Sequence, residues 1–500
     1  MLLAALLAIY LTFPTQDYYW DGISFAQDIE DAASLNPLLL HPNHLVYTPI
    51  GYGLFKAVQA IGVNVRSLRV LQIANSILAA IAAVLLFELL LAISSSPYMS
   101  VVLTSLFAFS ATWWKFSTDA NAYIASVLLL LCCFYFLLPD RRSRPLLVAT
   151  LHTAAMLLHQ LSVLFFPVAV VGILQQNAAG SVHERIKAVI KYAAAAFCGT
   201  VVIYFCAFYL RHKMANPLTF MDWISSHAPG AAFTFQLWRN ALLGLRGTLR
   251  LVLAAKASWI FERNPITLTL IVLLVLAVLA LLLLFFKTRH ELLRFGLRFG
   301  PGTLPIVRMS LTWIACYSLF LLVWEPANTF YRLFYLPAII LLLAAVWVEA
   351  DRRAYRHRGR AALLVAAIAL TNFTFSILPH TKPENNPRVA FALRMQPLWK
   401  PGTVIYFADF IGNIDDWTMR YFNPQTEWRQ LDTNLVLFEN AITQARSKET
   451  SVWLDTTALK LSEQDREFRA RFERIATLGS SYRAGSGYDI RFVEVKQTAR

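Results

Sequence analysis

Long apolar runs separated by short polar stretches fill the first 380 residues of the chain. Runs of about twenty residues with almost no charge can cross a hydrocarbon core of about 30 Å. Because the apolar residues are continuous and do not alternate, the pattern predicts membrane-spanning helices and not the strands of a barrel. The apolar segments fall near 1–14, 69–93, 98–114, 120–138, 145–175, 188–210, 264–286, 305–324, 329–348 and 361–378.

Composition supports a polytopic membrane protein, since 57% of the residues are hydrophobic, 15% are charged and the mean hydropathy is +0.51. The net charge of +15 could indicate a protein that binds nucleic acid, but the distribution of the charges along the chain argues against that partner. Up to His380 there are 28 Lys and Arg against 15 Asp and Glu, and beyond it 17 against 15. The basic excess therefore belongs to the membrane part, where it orients helices and meets anionic lipid, and no nucleic-acid binding is predicted.

Four basic loops constrain the topology, because cytoplasmic loops are enriched in Lys and Arg. All four lie in the cytoplasm only if 145–175 crosses twice, as two short helices hinged near His159 and Gln160. Counting the membrane crossings between these loops then predicts eleven spans in a cytoplasmic (inner) membrane, with the N-terminus in the cytoplasm and the C-terminus outside. The four loops are 140–144, 183–187, 287–298 and 351–360.

The same count of crossings predicts a transmembrane domain, 1–380, with a first outer loop at 15–68 and a long outer loop at 211–263. Within the latter, residues 233–256 look amphipathic and are expected to lie along the membrane interface. A small α/β domain, 381–500, is expected on the outer side, with a polar helix over 462–476. Its predicted strands are 402–407, 434–438, 451–454 and 488–495.

Three carboxylates make the first outer loop a candidate site. If the segment is mostly helical, Asp17, Asp21 and Asp28 share one face, because they are spaced by four and seven residues. Clustered acids raise one another's pKa, so such a cluster usually takes a proton or a divalent metal ion. A base for an acceptor hydroxyl and a carboxylate–metal site both fit. A solvated amphipathic helix is the alternative.

Other polar residues on the outer face have structural alternatives of their own. His41 and His44 are three residues apart, but the intervening proline disfavours a shared metal face, and a packed loop is the alternative. Lys115 and Asp119 flank two spans, where snorkelling and helix capping are the alternatives.

One cation and one imidazole lie near the ends of spans. Arg332 stands one turn inside an apolar segment, where an unpaired cation is costly, so it either snorkels or pairs with an anion such as a lipid phosphate. His159 at the hinge, with Gln160 beside it, is either a packing residue or part of the same site. Their convergence on one face favours a site.

These residues resemble the motifs of the C-type glycosyltransferase (GT-C) superfamily, and in particular its protein O-mannosyltransferase-like membrane proteins. The resemblance covers about residues 10–350, and the pattern of the first loop is its moderately specific part. The matching residues are Asp21-Gly22, His41-Pro42, Tyr47, Pro49 and Gly51, with Thr112-Trp113, Asp119, Tyr123, Tyr331-Arg332 and Pro337 further along the chain.

The resemblance implies transfer of a sugar from a polyprenyl-phosphate donor to an acceptor outside the cytoplasmic membrane, with inversion. It implies that Asp21 is the catalytic carboxylate, that Asp119 supports the acceptor or a metal, and that Arg332 binds the donor phosphate. Lys115 is a second candidate for binding that phosphate. The family often has a second acid beside the first. Gly22 and Ile23 stand there in this chain, so Asp17 or Asp28 is expected to substitute for it, and His41 and His44 are expected to support the acceptor or a metal.

Two other classes of protein remain open. A transporter or lipid flippase would bury ionisable residues at the midplane of broken helices and would show internal repeats. Here the charges gather at one surface and no repeat between the halves is evident. A non-catalytic scaffold that presents the C-terminal domain would tolerate replacement of Asp21. The sequence does not identify the sugar, the acceptor or any metal requirement.

Overall fold

The computed structural model of the chain separates into two compact units. The first, the membrane unit, comprises 1–14 and 28–379, and the second unit comprises 15–27 and 380–500. The predicted span at 264–286 falls almost entirely outside the described residues, and the loop at 287–298 lies wholly outside them. The structure describes residues 1–178, 180–213, 216–225, 233–254, 268–269, 272–273, 275–276, 299–352, 358–408, 414–431, 435–447, 450–464, 466–484 and 490–497.

The membrane unit is built from helices. One of them begins at Trp20, within the second unit. Short 3-10 turns cover Pro37–Leu39, Pro42–His44, Gln160–Phe165 and Phe330–Tyr335. The α-helices are α1 (Leu2–Thr12), α2 (Trp20–Asp31), α3 (Tyr47–Ala60), α4 (Ser67–Ser94), α5 (Pro97–Ala108), α6 (Ala111–Ser117), α7 (Tyr123–Phe136), α8 (Pro145–Leu158), α9 (Phe166–Gln176), α10 (Val182–His212), α11 (Pro217–Ser225), α12 (Leu237–Val252), α13 (Leu304–Val323), α14 (Leu336–Arg352) and α15 (Arg358–Asn372).

The predicted apolar segments coincide with helices wherever the structure describes them. Five helical stretches within the described residues are long and apolar enough to cross a membrane. They are Ser67–Ser94, Val182–His212, Leu304–Val323, Phe330–Ala350 and Gly359–His380. Five shorter apolar helices accompany them, at Leu2–Thr12, Pro97–Ala108, Tyr123–Phe136, Pro145–Leu158 and Gln160–Gln176.

The predicted hinge in segment 145–175 is present. Helix α8 ends at Leu158, and His159 has an extended backbone (φ −158°, ψ 124°) before the 3-10 turn that leads into α9. This break turns one long apolar segment into two short helices.

Helix α4 is the central helix of the membrane unit and packs against α1, α3, α5, α6, α7 and α14. Four alanines on α4 are completely buried: Ala79, Ala80, Ala82 and Ala83. Small side chains let helix backbones approach closely in a membrane, where van der Waals packing replaces the hydrophobic drive. These small side chains therefore let α4 pack closely against several neighbouring helices.

The second unit contains a five-stranded mixed sheet in the order β2-β1-β3-β5-β4. Strands β1, β2 and β3 are parallel, whereas β5 is antiparallel to both β3 and β4. Alternate residues of β1 enter two different cores, Tyr406 on one face and Ile405 on the other, so helices cover both faces. The strands are β1 (Val404–Phe407), β2 (Glu427–Gln430), β3 (Val452–Leu454), β4 (Ala476–Arg483) and β5 (Arg491–Gln497). The helices are α16 (Pro387–Met395), α17 (Ile414–Phe422), α18 (Val436–Ser447), α19 (Thr456–Gln464) and α20 (Arg466–Ile475).

The predicted strand at 434–438 is wrong, because Val436 begins helix α18. Its short apolar run belongs to a longer pattern in which Leu435, Phe438 and Ile442 are buried with a helical spacing. Strands β2 and β4 were not predicted, since few of their residues are buried and their sequences show little apolar alternation.

Candidate functional site

The three acids of the first loop do not all share one helix face. Helix α2 begins at Trp20, so Asp21 lies in its first turn and Asp28 two turns further along the same face. Asp17 precedes the helix, and its carboxylate lies 3.9 Å from Nε2 of His380 within the second unit. The expectation of a three-acid face is therefore corrected to two acids on α2.

Asp28 belongs to the membrane unit, where its charge attracts that of Arg211 at the end of α10. The Arg211 guanidinium also donates to the backbone oxygen of Leu38 at 2.7 Å. Asp28 thus helps to hold the first loop against α10, whereas Asp17 and Asp21 belong to the second unit.

A histidine cluster forms in the membrane unit from His41, His44 and His159. The ring centroids of His41 and His44 lie 5.9 Å apart, and those of His44 and His159 lie 4.7 Å apart. The Tyr123 ring contacts this cluster, with its centroid 4.8 Å from that of His159. Residues from the first loop, the hinge and α7, which lie far apart in sequence, are thus brought together.

The hinge holds the first loop through the free carbonyls at the end of α8. The last carbonyls of a helix have no partner inside it. Here His44 Nδ1 donates to the Leu158 oxygen at 3.2 Å, and the Val46 N–H donates to the Leu157 oxygen at 3.3 Å. Gln160 donates in return from Nε2 to the Pro42 oxygen at 3.1 Å. The predicted hinge residues therefore position the histidine loop.

Burial governs the ionisation of two groups beside this loop. Burial lowers the pKa of His159 well below its usual value, and neighbouring His44 lowers it further. Nδ1 of His159 accepts from the Leu161 N–H at 3.1 Å, so the neutral ring carries its proton on Nε2. Burial also raises the pKa of Tyr47, and the negative charge of Asp119 adds to that shift. Both groups are neutral at pH 7.

A row of polar side chains on α4 fixes the loop that carries Asp119. Gln72 Nε2 donates to the Thr118 oxygen at 3.0 Å, and Asn75 Nδ2 donates to the oxygens of Asp119 and Asn121 at 2.7 and 2.8 Å. Asp119 itself is completely buried, and its Oδ1 accepts from the following N–H at 2.8 Å. The row was not predicted, although polar residues three apart inside an apolar span are a sequence signal for it.

Aromatic rings connect the histidine cluster to the start of α14. The Tyr123 centroid lies 5.6 Å from that of Phe330 and 6.0 Å from that of Tyr331. Phe116 stacks on Phe330 at 5.9 Å, and the ammonium group of Lys115 lies 6.0 Å from the Phe116 ring. Lys115 therefore stands at the edge of this aromatic cluster.

Arg332 is 3% exposed and has protein partners. One terminal nitrogen donates to the Tyr335 hydroxyl at 2.8 Å, and the other donates to the Pro326 oxygen at 2.7 Å. A β-carbon added at Gly247 of α12 would collide with its Nε. Arg332 is thus packed beneath α12 and does not snorkel to the surface.

A metal site was one expectation for the first-loop acids and histidines. Within the described parts of the chain, no three His, Cys, Asp or Glu side chains are grouped so that they could hold a metal ion.

The fold is shared with solved structures of ArnT. No protein-family model matches the sequence, and no curated protein is significantly similar to it. Among solved structures, ArnT from Cupriavidus metallidurans bound to undecaprenyl phosphate superposes with a TM-score of 0.57 at 10% identity, over 99% of this chain and 97% of that one. ArnT from the same organism in the apo state superposes with a TM-score of 0.55 at 10% identity, over 96% of this chain and 93% of that one. The likeness spans both units.

Proposed function

We propose that this protein is an integral-membrane glycosyltransferase that takes a sugar from a polyprenyl-phosphate donor and transfers it to an acceptor outside the cytoplasmic membrane. The observation that carries the proposal is the fold shared, over almost the whole chain, with an ArnT structure bound to undecaprenyl phosphate. The first-loop motif around Asp21 supports the same class of reaction independently, because it is evident in the sequence alone.

Asp21 acts as the general base in this proposal. Its carboxylate takes the proton of the acceptor hydroxyl, and the resulting oxygen attacks the anomeric carbon of the sugar. The bond from that carbon to the phosphate oxygen breaks, polyprenyl phosphate leaves, and the configuration at the anomeric carbon is inverted. Asp21 lies in the first turn of α2, at the positive end of the helix dipole.

In this proposal, Lys115 supplies the positive charge that stabilises the departing phosphate. Its ammonium group lies at the edge of the aromatic cluster. Because Arg332 is buried, its role in this proposal is to position its neighbours, whereas Lys115 provides the charge for the phosphate. Asp119 and the histidines His41, His44 and His159 shape the pocket for the acceptor, with or without a divalent metal ion. The finer assignment to protein O-mannosyltransferase-like enzymes belongs to this proposal as well.

The proposed location is the inner membrane, with the N-terminus in the cytoplasm and the second unit outside. The four basic loops support this orientation through the positive-inside rule. In this orientation, the donor sugar and the acceptor bind on the outer face, which is also the proposed side of the first loop.

Replacement of Asp21 tests the proposal. The full-length Asp21→Asn variant in nanodiscs should lose at least about a hundredfold in kcat with an undecaprenyl-phosphate sugar, as removal of a general base does. Its apparent Tm should match that of the unsubstituted protein. Asp31→Asn, at the other end of α2, is the matched control and should retain turnover.

The outcomes separate the three classes of protein. Unchanged sugar transfer by Asp21→Asn would contradict the base assignment. Movement of the lipid across a bilayer without any sugar transfer would indicate a flippase. A protein with neither activity, and with no response to Asp21→Asn, would be a scaffold. For Lys115→Met, the donor KM should rise about tenfold, the effect of removing one hydrogen bond to a charged group.

A further inference from the structure

A cavity of about 710 Å³ lies in the membrane unit between the first turns of α12 and the segment 325–330. This is within the range of small-molecule sites, about 300–1,000 Å³. The groups that line it include a carboxylate, a guanidinium, amides and an aromatic ring, namely Glu325, Arg239, Gln236, Asn240, Asn328 and Phe330.

The loop side of the cavity is held in an unusual conformation. Glu325 has a φ of +47°, a left-handed backbone conformation that residues other than glycine rarely adopt, because it is strained. Asn328 Nδ2 donates to Glu325 Oε2 at 2.7 Å, and Arg332 holds the neighbouring Pro326 oxygen. Such strain persists where surrounding contacts over-determine it and is concentrated at ligand sites. The carboxylate of Glu325 is therefore presented by a fixed loop.

On the α12 side of the cavity, the guanidinium of Arg239 is the donor that complements the Glu325 carboxylate. Asn240 is 2% exposed, and its Nδ2 donates to the Thr234 oxygen at 2.9 Å, which fixes the start of the helix. Arg239 is exposed, and one of its terminal nitrogens donates to Gln236 Oε1 at 3.2 Å. Within the described residues, neither Arg239 nor Glu325 forms an ion pair, so both charges are available to a ligand.

The cavity adjoins the aromatic cluster through Phe330. Phe330 lines the cavity, and its ring also contacts Tyr123 and Phe116 of the aromatic cluster. A ligand in the cavity would therefore lie beside the aromatic cluster whose edge Lys115 occupies.

We propose that this cavity binds the ring of a saccharide, with Glu325 accepting hydrogen bonds from its hydroxyls and Arg239 donating to them. Saccharide hydroxyls both donate and accept, which matches a lining of opposite charges and amides. A phosphate is a poorer match, because the Glu325 carboxylate would repel it. Arg332 is a positioning residue that acts through Pro326. This inference rests on the proposed function, since it assigns the sugar subsite of the same enzyme.

Protection of a cysteine at the cavity tests this assignment. Ala327 is exposed and lines the cavity, so the full-length Ala327→Cys protein in nanodiscs should react with a membrane-impermeant maleimide. The unsubstituted protein, with its five native cysteines, gives the background. The labelling rate is measured with undecaprenyl phosphate, undecaprenyl-phosphate mannose or soluble mannose.

The sugar-bearing lipid should slow labelling, and undecaprenyl phosphate alone should not. Protection by soluble mannose as well would indicate a site for an acceptor saccharide, and protection by the sugar-bearing lipid alone would indicate the donor sugar. Adding Glu325→Gln or Arg239→Gln should raise the protecting concentration about tenfold, the effect of one charged hydrogen bond. Arg246→Gln, two turns along α12 and outside the lining, is the matched control.

Three outcomes would overturn the saccharide site: no protection by either mannose ligand, equal protection by undecaprenyl phosphate, or protection that Glu325→Gln and Arg239→Gln leave unchanged. A separate turnover measurement with the same donor distinguishes the two proposals. Protection without turnover contradicts the proposed transferase and retains the saccharide site. Turnover without protection contradicts the saccharide site alone.

Discussion

The guanidinium of Arg332 occupies the space that Gly247 leaves free on α12. A β-carbon at position 247 would lie 3.2 Å from Cζ of Arg332 and would collide with its Nε. The same guanidinium donates to Tyr335 and Pro326, so it has little freedom to withdraw. Glycine at 247 is therefore a condition for the buried arginine.

Gly247→Ala should destabilise the membrane unit. The added methyl group must displace Arg332 and break at least one of its hydrogen bonds, at a cost of about 1–3 kcal/mol. The apparent Tm in detergent, measured at one scan rate, should fall. Gly244→Ala is the matched control, because its β-carbon would lie 3.5 Å from Nη2 of Arg332, an ordinary contact. Equal Tm values for the two variants would contradict this account.

Asn75→Leu should destabilise the loop that carries Asp119. Asn75 donates to two buried backbone oxygens, and a leucine of similar size leaves both without that donor, at a cost of about 2–4 kcal/mol. Ser94→Ala, in the last turn of the same helix, removes two local hydrogen bonds, to the Leu90 oxygen and from the Ser96 N–H, and should change the Tm less. Hydrogen exchange of residues 117–122 should rise in Asn75→Leu, and an unchanged exchange rate would show that the loop is held in another way.

Glu30→Gln should remove a pH-dependent part of the stability. Burial alone would raise the pKa of Glu30, but hydrogen bonds from Arg66 and Ser67 outweigh it and lower the pKa below its usual 4.5. The carboxylate accepts from the Ser67 N–H at 2.9 Å and so caps α4 from another helix.

Because the folded pKa is lowered, this stabilisation is complete above pH 4.5 and is lost as the pH falls through the folded pKa. At pH 7 the variant should be less stable by about 1–2 kcal/mol, a value discounted for partial exposure. Thermal unfolding of both proteins between pH 3 and 7 checks this. A difference that persists at the lowest pH would mean that the loss is not electrostatic.

Cysteines introduced on the two sides of the predicted topology should react from opposite sides of the membrane. Thr288→Cys lies in a predicted cytoplasmic loop, outside the described residues, and Ser480→Cys lies on β4 of the second unit. In intact cells, an impermeant maleimide should label only the second, and after lysis both should react. Labelling of both in intact cells would contradict the predicted topology.

The helices of the membrane unit were predictable because a long apolar run encodes a span locally. The hinge at His159 also followed from sequence, through the charges of the flanking loops. Prediction is poorer in the second unit, where the apolar run 434–438 predicts a strand although Val436 begins α18. Short apolar runs satisfy the pattern of either element, and only packing around Phe438 decides between them.

The sequence by itself determined the helical membrane-type fold and the positions of the apolar helices that the structure describes. Local patterns suffice for these, because burial in lipid demands apolar runs of a set length. Only the tertiary structure decided which polar groups meet. Asp17 lies beside His380, and Arg332 packs against Gly247, neither of which any periodicity indicates. Such partners are distant in sequence, and they are selected by the packing of whole helices, where one missing methyl group makes room for a buried cation.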